Sequence, residues 1–301
     1  MPKIKMPKKP MERAQLEKRV IELEETIEQK LKHYQEIKKD YLCFPFLGVD
    51  ITTTVVDDIF QDLRTKYQEC NGRLNIIVDS GGGDIDAAYN LAMLFRKYGT
   101  KELNFIVPRW AKSAATLLVC SGDRILMSPI AELGPLDPQI TQFNLLEGRI
   151  ERFSPLHIEA TLNMIRQEFE KGNDKFAQGL MERLQFPLTL GGFIKYHEIG
   201  EQYLVKLLET RMFTGGKKKG DAKAIAKILN KGYADHGFCI NIDEAKSIGL
   251  DVGDLEGEEL DVVWEIHGLN RERKKLQEEI RGSKVTEKIK DLPPGLLDKL
   301  L

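Results

Sequence analysis

The stretch RLNIIVDSGGGDIDAAYNLAMLFRKYG, residues 73–99, decides the reading of this chain. RLNIIVD reads as a β-strand, and three consecutive glycines follow within one residue. DIDAAYNLAMLFRKYG then reads as a helix closed by Gly99. Glycine tolerates positive φ and lets another group approach the backbone closely. Successive amides at such a turn can point the same way and cradle an anion or a developing oxyanion. The spacing is not GxGxxG, and no GKS or GKT follows, so dinucleotide and P-loop readings do not fit. A plainer role is also open: a tight strand-to-helix turn, with Asp84 and Asp86 near the positive end of the helix.

Working outward, the same unit recurs. ELNFIVPRW (102–110) is a second strand, and SAATLLVCSG (113–122) is a short helix after it. DRILMSPIAELGPLDPQI (123–140) gives a third strand and a loop rich in proline and glycine. Strand, turn and helix at a spacing of roughly 30 residues predict an α/β fold with largely parallel strands. Ser113 lies 30 residues beyond Gly83, at the equivalent corner of the next unit. Equivalent corners of a parallel sheet share one edge, which makes the glycine turn and Ser113 expected neighbours. The hydroxyl there is either an ordinary N-cap or a nucleophile. The amide of Ala114 begins the helix unpaired, and Ala114 and Ala115 leave room for a substrate.

Residues 155–235 read as helical, and FCINIDEAKSIGLDV (238–252) returns to a strand edge and a short helix. TGGKKKGD (214–221) lacks P-loop spacing and reads as an exposed loop. Three regions follow. Residues 1–41 are a charged amphipathic helical extension, with Leu16, Val20, Leu23, Ile27, Leu31, Tyr34 and Ile37 spaced by threes and fours. That helix lies on its own domain or makes a coiled coil between subunits. Residues 42–255 are the α/β domain. Residues 256–301 are a second helical extension, ended by Pro293 and Pro294, of a kind suited to a partner or a neighbouring subunit.

The chain has 301 residues, with 45 Lys and Arg against 47 Asp and Glu. That balance argues against a dedicated nucleic-acid binder, whose basic face raises the net charge. No stretch reaches the roughly 18 apolar residues of a membrane span, and the charged start does not suit a secretory signal. Cys43, Cys70, Cys120 and Cys239 form no close pairs, which fits reduced thiols in a cytoplasmic protein. No His, Cys, Asp and Glu grouping has metal-ligand spacing, and no cofactor is expected.

VDSGGGDIDAA, then AKSAATLLVCSGDRILMSPIAELGPLDPQI, then HGFCINIDEAKSIGLDV occur in that order. Together they resemble the serine dehydrogenase proteinase family, a branch of the Clp-protease/crotonase superfamily related to signal peptide peptidase A. The resemblance covers roughly residues 42–255. It implies a spiral of ββα units with the active site where two helix starts meet. It also implies Ser113 as nucleophile and the Gly82, Gly83 and Ala114 amides as oxyanion hole. The family usually has glycine after the serine, where Ala114 and Ala115 stand here; alanine keeps the amide but crowds the pocket.

A nucleophilic serine needs a base. The loop ELGPLDPQI has no histidine, and Asp137 is the titratable side chain at its centre. His236, in YADHGFCINIDEA, pairs with Asp137 as base and acid, exchanged relative to the Clp order; the geometry of a triad matters, not its chain order. His236 has a plain alternative as a turn residue, and Lys171, Lys175 and Lys112 are further candidates for the base. The expectation is a cytoplasmic homo-oligomeric serine peptidase acting on peptides or proteins. The alternatives are a crotonase-like acyl-CoA enzyme, using the same amides on a thioester enolate with a catalytic carboxylate, and an inactive interaction scaffold.

Overall fold

The computed structural model describes residues 13–66, 71–136, 140–144, 149–153, 155–182, 190–214 and 221–290. Along the chain run α1 (Arg13–Ile37), β1 (Leu42–Leu47), α2 (Thr53–Lys66), β2 (Arg73–Asp79), α3 (Ile85–Tyr98), β3 (Glu102–Val107), β4 (Trp110–Ala111) and α4 (Ala114–Val119). They are followed by β5 (Arg124–Met127), β6 (Glu132–Leu133), β7 (Ile140–Asn144), β8 (Arg149–Phe153), α5 (Pro155–Glu170), α6 (Asp174–Glu182) and α7 (Leu190–Leu207). A π-helical turn, Leu208–Met212, extends α7. Then come α8 (Ala222–Lys231), α9 (Ile242–Ser247), β9 (Val252–Asp254) and α10 (Gly257–Lys290). The chain divides into two units: Lys39–Glu256, and the described residues before and after it.

In the larger unit, β1, β2, β3, β5 and β9 form one sheet in that order, every pair parallel. Parallel strands covered on both faces read as continuous apolar runs. β2 follows that rule, with Leu74 through Asp79 all buried. Phe95 of α3 lies between Phe44 of β1 and Phe105 of β3, at centroid distances of 6.0 and 6.2 Å. Asp84 caps α3 by accepting the Ala87 N–H at 2.7 Å, and the Gly99 N–H closes its other end on the Phe95 carbonyl.

ELNFIVPRW is not one strand. Pro108 has no N–H to offer a ladder, and the chain leaves the main sheet there. β4 instead pairs in parallel with β6 in a second small sheet. Ser80, just past β2, bridges to Ala111 on one side of that sheet, and Ile240 bridges antiparallel to Leu133 on the other. Segments that leave β2, β3 and β5 thus pair again beside the main sheet, joined by the segment that precedes α9. This doubled layering is the stacked ββα arrangement that the resemblance implies. Nothing in the sequence reading anticipates the antiparallel hairpin of β7 and β8.

In the smaller unit, α1 packs against α10 from the opposite end of the chain. Arg19 bonds to Glu272 at 3.0 Å, Lys30 pairs with Glu265, and the Tyr34 hydroxyl donates to Glu259 at 2.7 Å. Rising numbers on one helix meet falling numbers on the other, so the two run antiparallel. Leu16, Leu23, Ile27 and Tyr34 are the buried stripe of α1. No described helix is long and apolar enough to cross a membrane.

Candidate active site

The glycine turn is held from both sides. Ser80, buried after β2, donates its hydroxyl to the Val49 carbonyl at 2.7 Å and accepts the Gly82 N–H at 3.2 Å. The Ile51 N–H donates to the Gly82 carbonyl at 2.8 Å, and the Asp84 N–H to the Ile51 carbonyl at 2.9 Å. In this parallel bridge the N–H of Gly83 faces away from Ile51. It has no acceptor among the described residues. Gly82 and Gly83 have φ of +109° and +148°. A Cβ on Gly82 would stand 2.7 Å from the Lys112 carbonyl oxygen, 3.0 Å from Ser113 Cβ and 3.2 Å from Ala114 N. The glycine turn and the Ser113 corner are therefore in contact.

Ser113 has φ 52° and ψ −123°, a region that residues with a Cβ enter at a cost of about 1–3 kcal/mol. Such strain persists only where neighbours enforce it. Here Ser80 and Ala111 pair on the strand side: the Ser80 N–H donates to the Trp110 carbonyl at 3.1 Å and the Lys112 N–H to the Ser80 carbonyl at 3.0 Å. On the helix side, the Thr116 hydroxyl lies 2.7 Å from the Ala111 carbonyl and 2.8 Å from that of Gly134, and accepts the Gly134 N–H at 3.0 Å. Ser113 is half-buried and makes no capping bond, so the ordinary N-cap role is not the one it fills. Its hydroxyl and the Ala114 N–H are without hydrogen-bond partners among the described residues. The corner thus presents a hydroxyl with two unengaged amides, those of Gly83 and Ala114. The Gly82 amide, expected as a third donor, is already taken by Ser80.

Lys112 turns away from Ser113. Its Nζ donates to the carbonyls of Leu133 at 3.1 Å and Phe238 at 3.2 Å and pairs with Glu132 at 2.8 Å. Glu132 also receives Arg109 at 2.7 Å. The hydrogen bond from Lys112, then that from Arg109, holds the Glu132 carboxyl down to about 2. Burial, with a smaller contribution from Glu132, pushes the nearby Cys239 thiol up. None of Cys43, Cys120 and Cys239 is in a disulfide.

His236 sits in the turn that Asp235 organises by accepting the Gly237 N–H at 2.7 Å. Its Nδ1 is buried with no partner, and no hydrogen bond joins it to Ser113 among the described residues. Two residues on, the Phe238 carbonyl is the one that Lys112 grips. Asp137 lies outside the described residues, as do residues 215–220 of the lysine-rich loop; the loop before Asp137 is fastened by the Leu136 N–H to the Leu229 carbonyl at 2.8 Å. Lys171 is exposed and paired with Glu168 at 2.7 Å. Ser80, Thr116 and Glu132 have no place in the sequence reading. Ser80 and Thr116 stand beside DSGGG and KSAA, but only their long-range partners show their use.

The site is thus a strained serine at a strand-to-helix corner, flanked by free amides in a layered α/β fold. The model of the ClpP-like SDH-type serine proteinases matches residues 1–150, and the chain belongs to that family. The match takes in the glycine turn and Ser113 and ends before His236. Among curated proteins the chain is 28% identical over 219 residues to the uncharacterized protein MJ0137 of Methanocaldococcus jannaschii, covering 72% of this chain and 65% of that one. It is 23% identical over 211 residues to MJ1495 of the same organism, covering 69% and 62%. The match therefore spans less than two thirds of the length of either relative. Among solved structures, the 1510-N membrane-bound stomatin-specific protease with a substrate peptide is 15% identical, covers 73% of this chain and 78% of its own, and has a TM-score of 0.46. The ClpP catalytic domain of Plasmodium falciparum is 13% identical, covers 84% and 96%, and has a TM-score of 0.42.

Proposed function

We propose that this chain is a serine peptidase in which Ser113 attacks the carbonyl carbon of a peptide bond. The observation that carries this reading is the strained, uncapped Ser113 beside the unengaged N–H groups of Gly83 and Ala114. Attack forms a bond from Ser113 Oγ to carbon and places negative charge on the former carbonyl oxygen. The two amides receive that oxyanion; one such donor is worth about 3 kcal/mol of barrier in acyl transfer. Gly82 serves by its missing side chain, which lets the Ser113 corner close against the turn. The serine proton passes to a base and then to the leaving amine, and water releases the acyl group by the reverse path. His236 is the proposed base, since its segment is tied to the residue before Ser113 and its Nδ1 is buried without a partner. Asp137 is the proposed acid.

Substrates are proposed to be peptides or proteins, in a cytoplasmic setting and in a homo-oligomer. A monomeric species at micromolar concentration in sedimentation would remove the last element. The acyl-CoA alternative needs a free carboxylate near the amides. Both at the start of α3 are occupied: Asp84 by the Ala87 N–H and Asp86 by the Tyr203 hydroxyl at 2.8 Å. The scaffold alternative draws on the absence of any hydrogen bond between His236 and Ser113 among the described residues.

A fluorophosphonate probe decides among these, because only an activated serine displaces its fluoride. We expect labelling of the folded protein near neutral pH, abolished in Ser113→Ala and retained in Asp84→Asn. Absence of labelling from pH 7 to 9 would overturn the peptidase reading.

A further inference from the structure

An ammonium has three hydrogens, and all three of Lys112 have acceptors: the carbonyls of Leu133 and Phe238 and the carboxylate of Glu132. These bonds aim it at Leu133, Phe238 and Glu132 rather than at Ser113. The side chain is nonetheless built in with care. Gly134 makes room for it, since a Cβ there would stand 2.8 Å from Lys112 Cδ. Glu132 is itself steadied by Arg109, which also donates to the Ile130 carbonyl at 2.8 Å. The backbone of Lys112 belongs to the nucleophile corner: its N–H donates to the Ser80 carbonyl, and its carbonyl accepts the Ala115 N–H at 2.9 Å. One residue thus joins three segments that are far apart in sequence.

One of those segments carries the proposed base: Phe238 follows His236 by two residues, while Leu133 ends β6. We propose that Lys112 is a positioning residue for catalysis at Ser113, fastening the His236 segment and the end of β6 to the residue before the nucleophile. The inference rests on the reading of Ser113 as nucleophile. Proton transfer needs donor and acceptor within hydrogen-bond reach, and small displacements of a supporting shell cost large factors in rate.

The test compares fluorophosphonate labelling rates of wild type, Ser113→Ala, Lys112→Met and Glu132→Gln from about pH 6 to about pH 9, each checked for folding by circular dichroism. In labelling, the Ser113 oxygen bonds to phosphorus, fluoride leaves, and the serine proton goes to the base. A serine coupled to its base gives a rate that rises and then levels off. One uncoupled from it reacts in proportion to hydroxide. We expect Lys112→Met to lower the rate at neutral pH by about 10- to 100-fold and to convert the plateau into a rise that continues to about pH 9. Glu132→Gln, which loosens the same tether, shows the same change of shape to a smaller degree. It carries the test if Lys112→Met does not fold. A merely structural role scales the whole profile by the folded fraction and leaves its shape alone. A wild-type profile shape in the folded variants overturns the positioning role. A wild type that does not label overturns the nucleophile reading instead, so the two failures are distinct.

Discussion

The Ala114 amide nitrogen stands 3.2 Å from the point where a side chain on Gly82 would begin. The glycine turn after β2 and the first residue of α4 are therefore packed backbone to backbone. That closeness sets the distance between the amide of Gly83 and that of Ala114, and so the size of the anion site they frame.

Gly82→Ala tests the closeness directly. The new Cβ would stand 2.7 Å from a backbone oxygen, and alanine at a φ of +109° is strained as well. We expect loss of about 1–3 kcal/mol of stability in urea denaturation. We also expect a fall of about 100-fold or more in probe labelling. Wild-type labelling in this variant would show that the corner does not need that contact.

Strain at Ser113 makes a prediction about stability alone. Glycine accepts φ 52° without penalty, whereas alanine keeps the strain of serine. Ser113→Gly and Ser113→Ala should both be unlabelled. Ser113→Gly should nevertheless be the more stable of the two by about 1 kcal/mol, the relieved strain exceeding the entropy that glycine adds to the unfolded chain. Equal urea midpoints for the two variants would contradict it.

Thr116 is a buried hub, and valine matches its shape without its oxygen. Thr116→Val leaves the Gly134 N–H without the acceptor it has at 3.0 Å. Stranding a buried donor costs about 1–3 kcal/mol. The measurement is the urea midpoint, with Thr116→Ser expected to recover most of the loss.

The Lys112–Glu132 pair gives stability a pH dependence of known sign. The folded-state value of Glu132 is depressed from the ordinary 4.5 to about 2. A carboxylate of that kind contributes stability that is complete above its unfolded-state value and disappears as pH falls toward its folded-state value. Wild type should therefore exceed Glu132→Gln in urea midpoint at pH 6. The two should converge as pH falls from about 4.5 to about 2. Curves that stay parallel over that range would show the pair to be solvent-screened and inert.

Much of this was legible in the chain itself. The strand before the glycines, the capped helix after them and the repeat of that unit around Ser113 are local patterns, and local propensities encode them. The expectation that the two corners meet followed from the parallel sheet, whose crossovers bring equivalent corners to one edge. Pro108 marked where ELNFIVPRW must break, although the reading ran the strand past it. The pairing of α1 with α10 was not legible, because an amphipathic stripe records that a helix has a partner but not which one.

The sequence by itself therefore determined the fold class, the family, and the nucleophile candidate with its flanking amides. Only the tertiary structure decided that Ser113 is strained rather than a cap, that the Gly82 amide is spent on Ser80, and that Lys112 faces Glu132 and Phe238. The reason is physical. The first group depends on residues within a few positions of one another. The second depends on where the ladder Ser80–Ala111–Leu133–Ile240 sets its register, across segments that approach only when the chain has folded. Read alone, Lys112 was one of several candidates for the base; in the folded chain it is the point at which three segments of the site are joined.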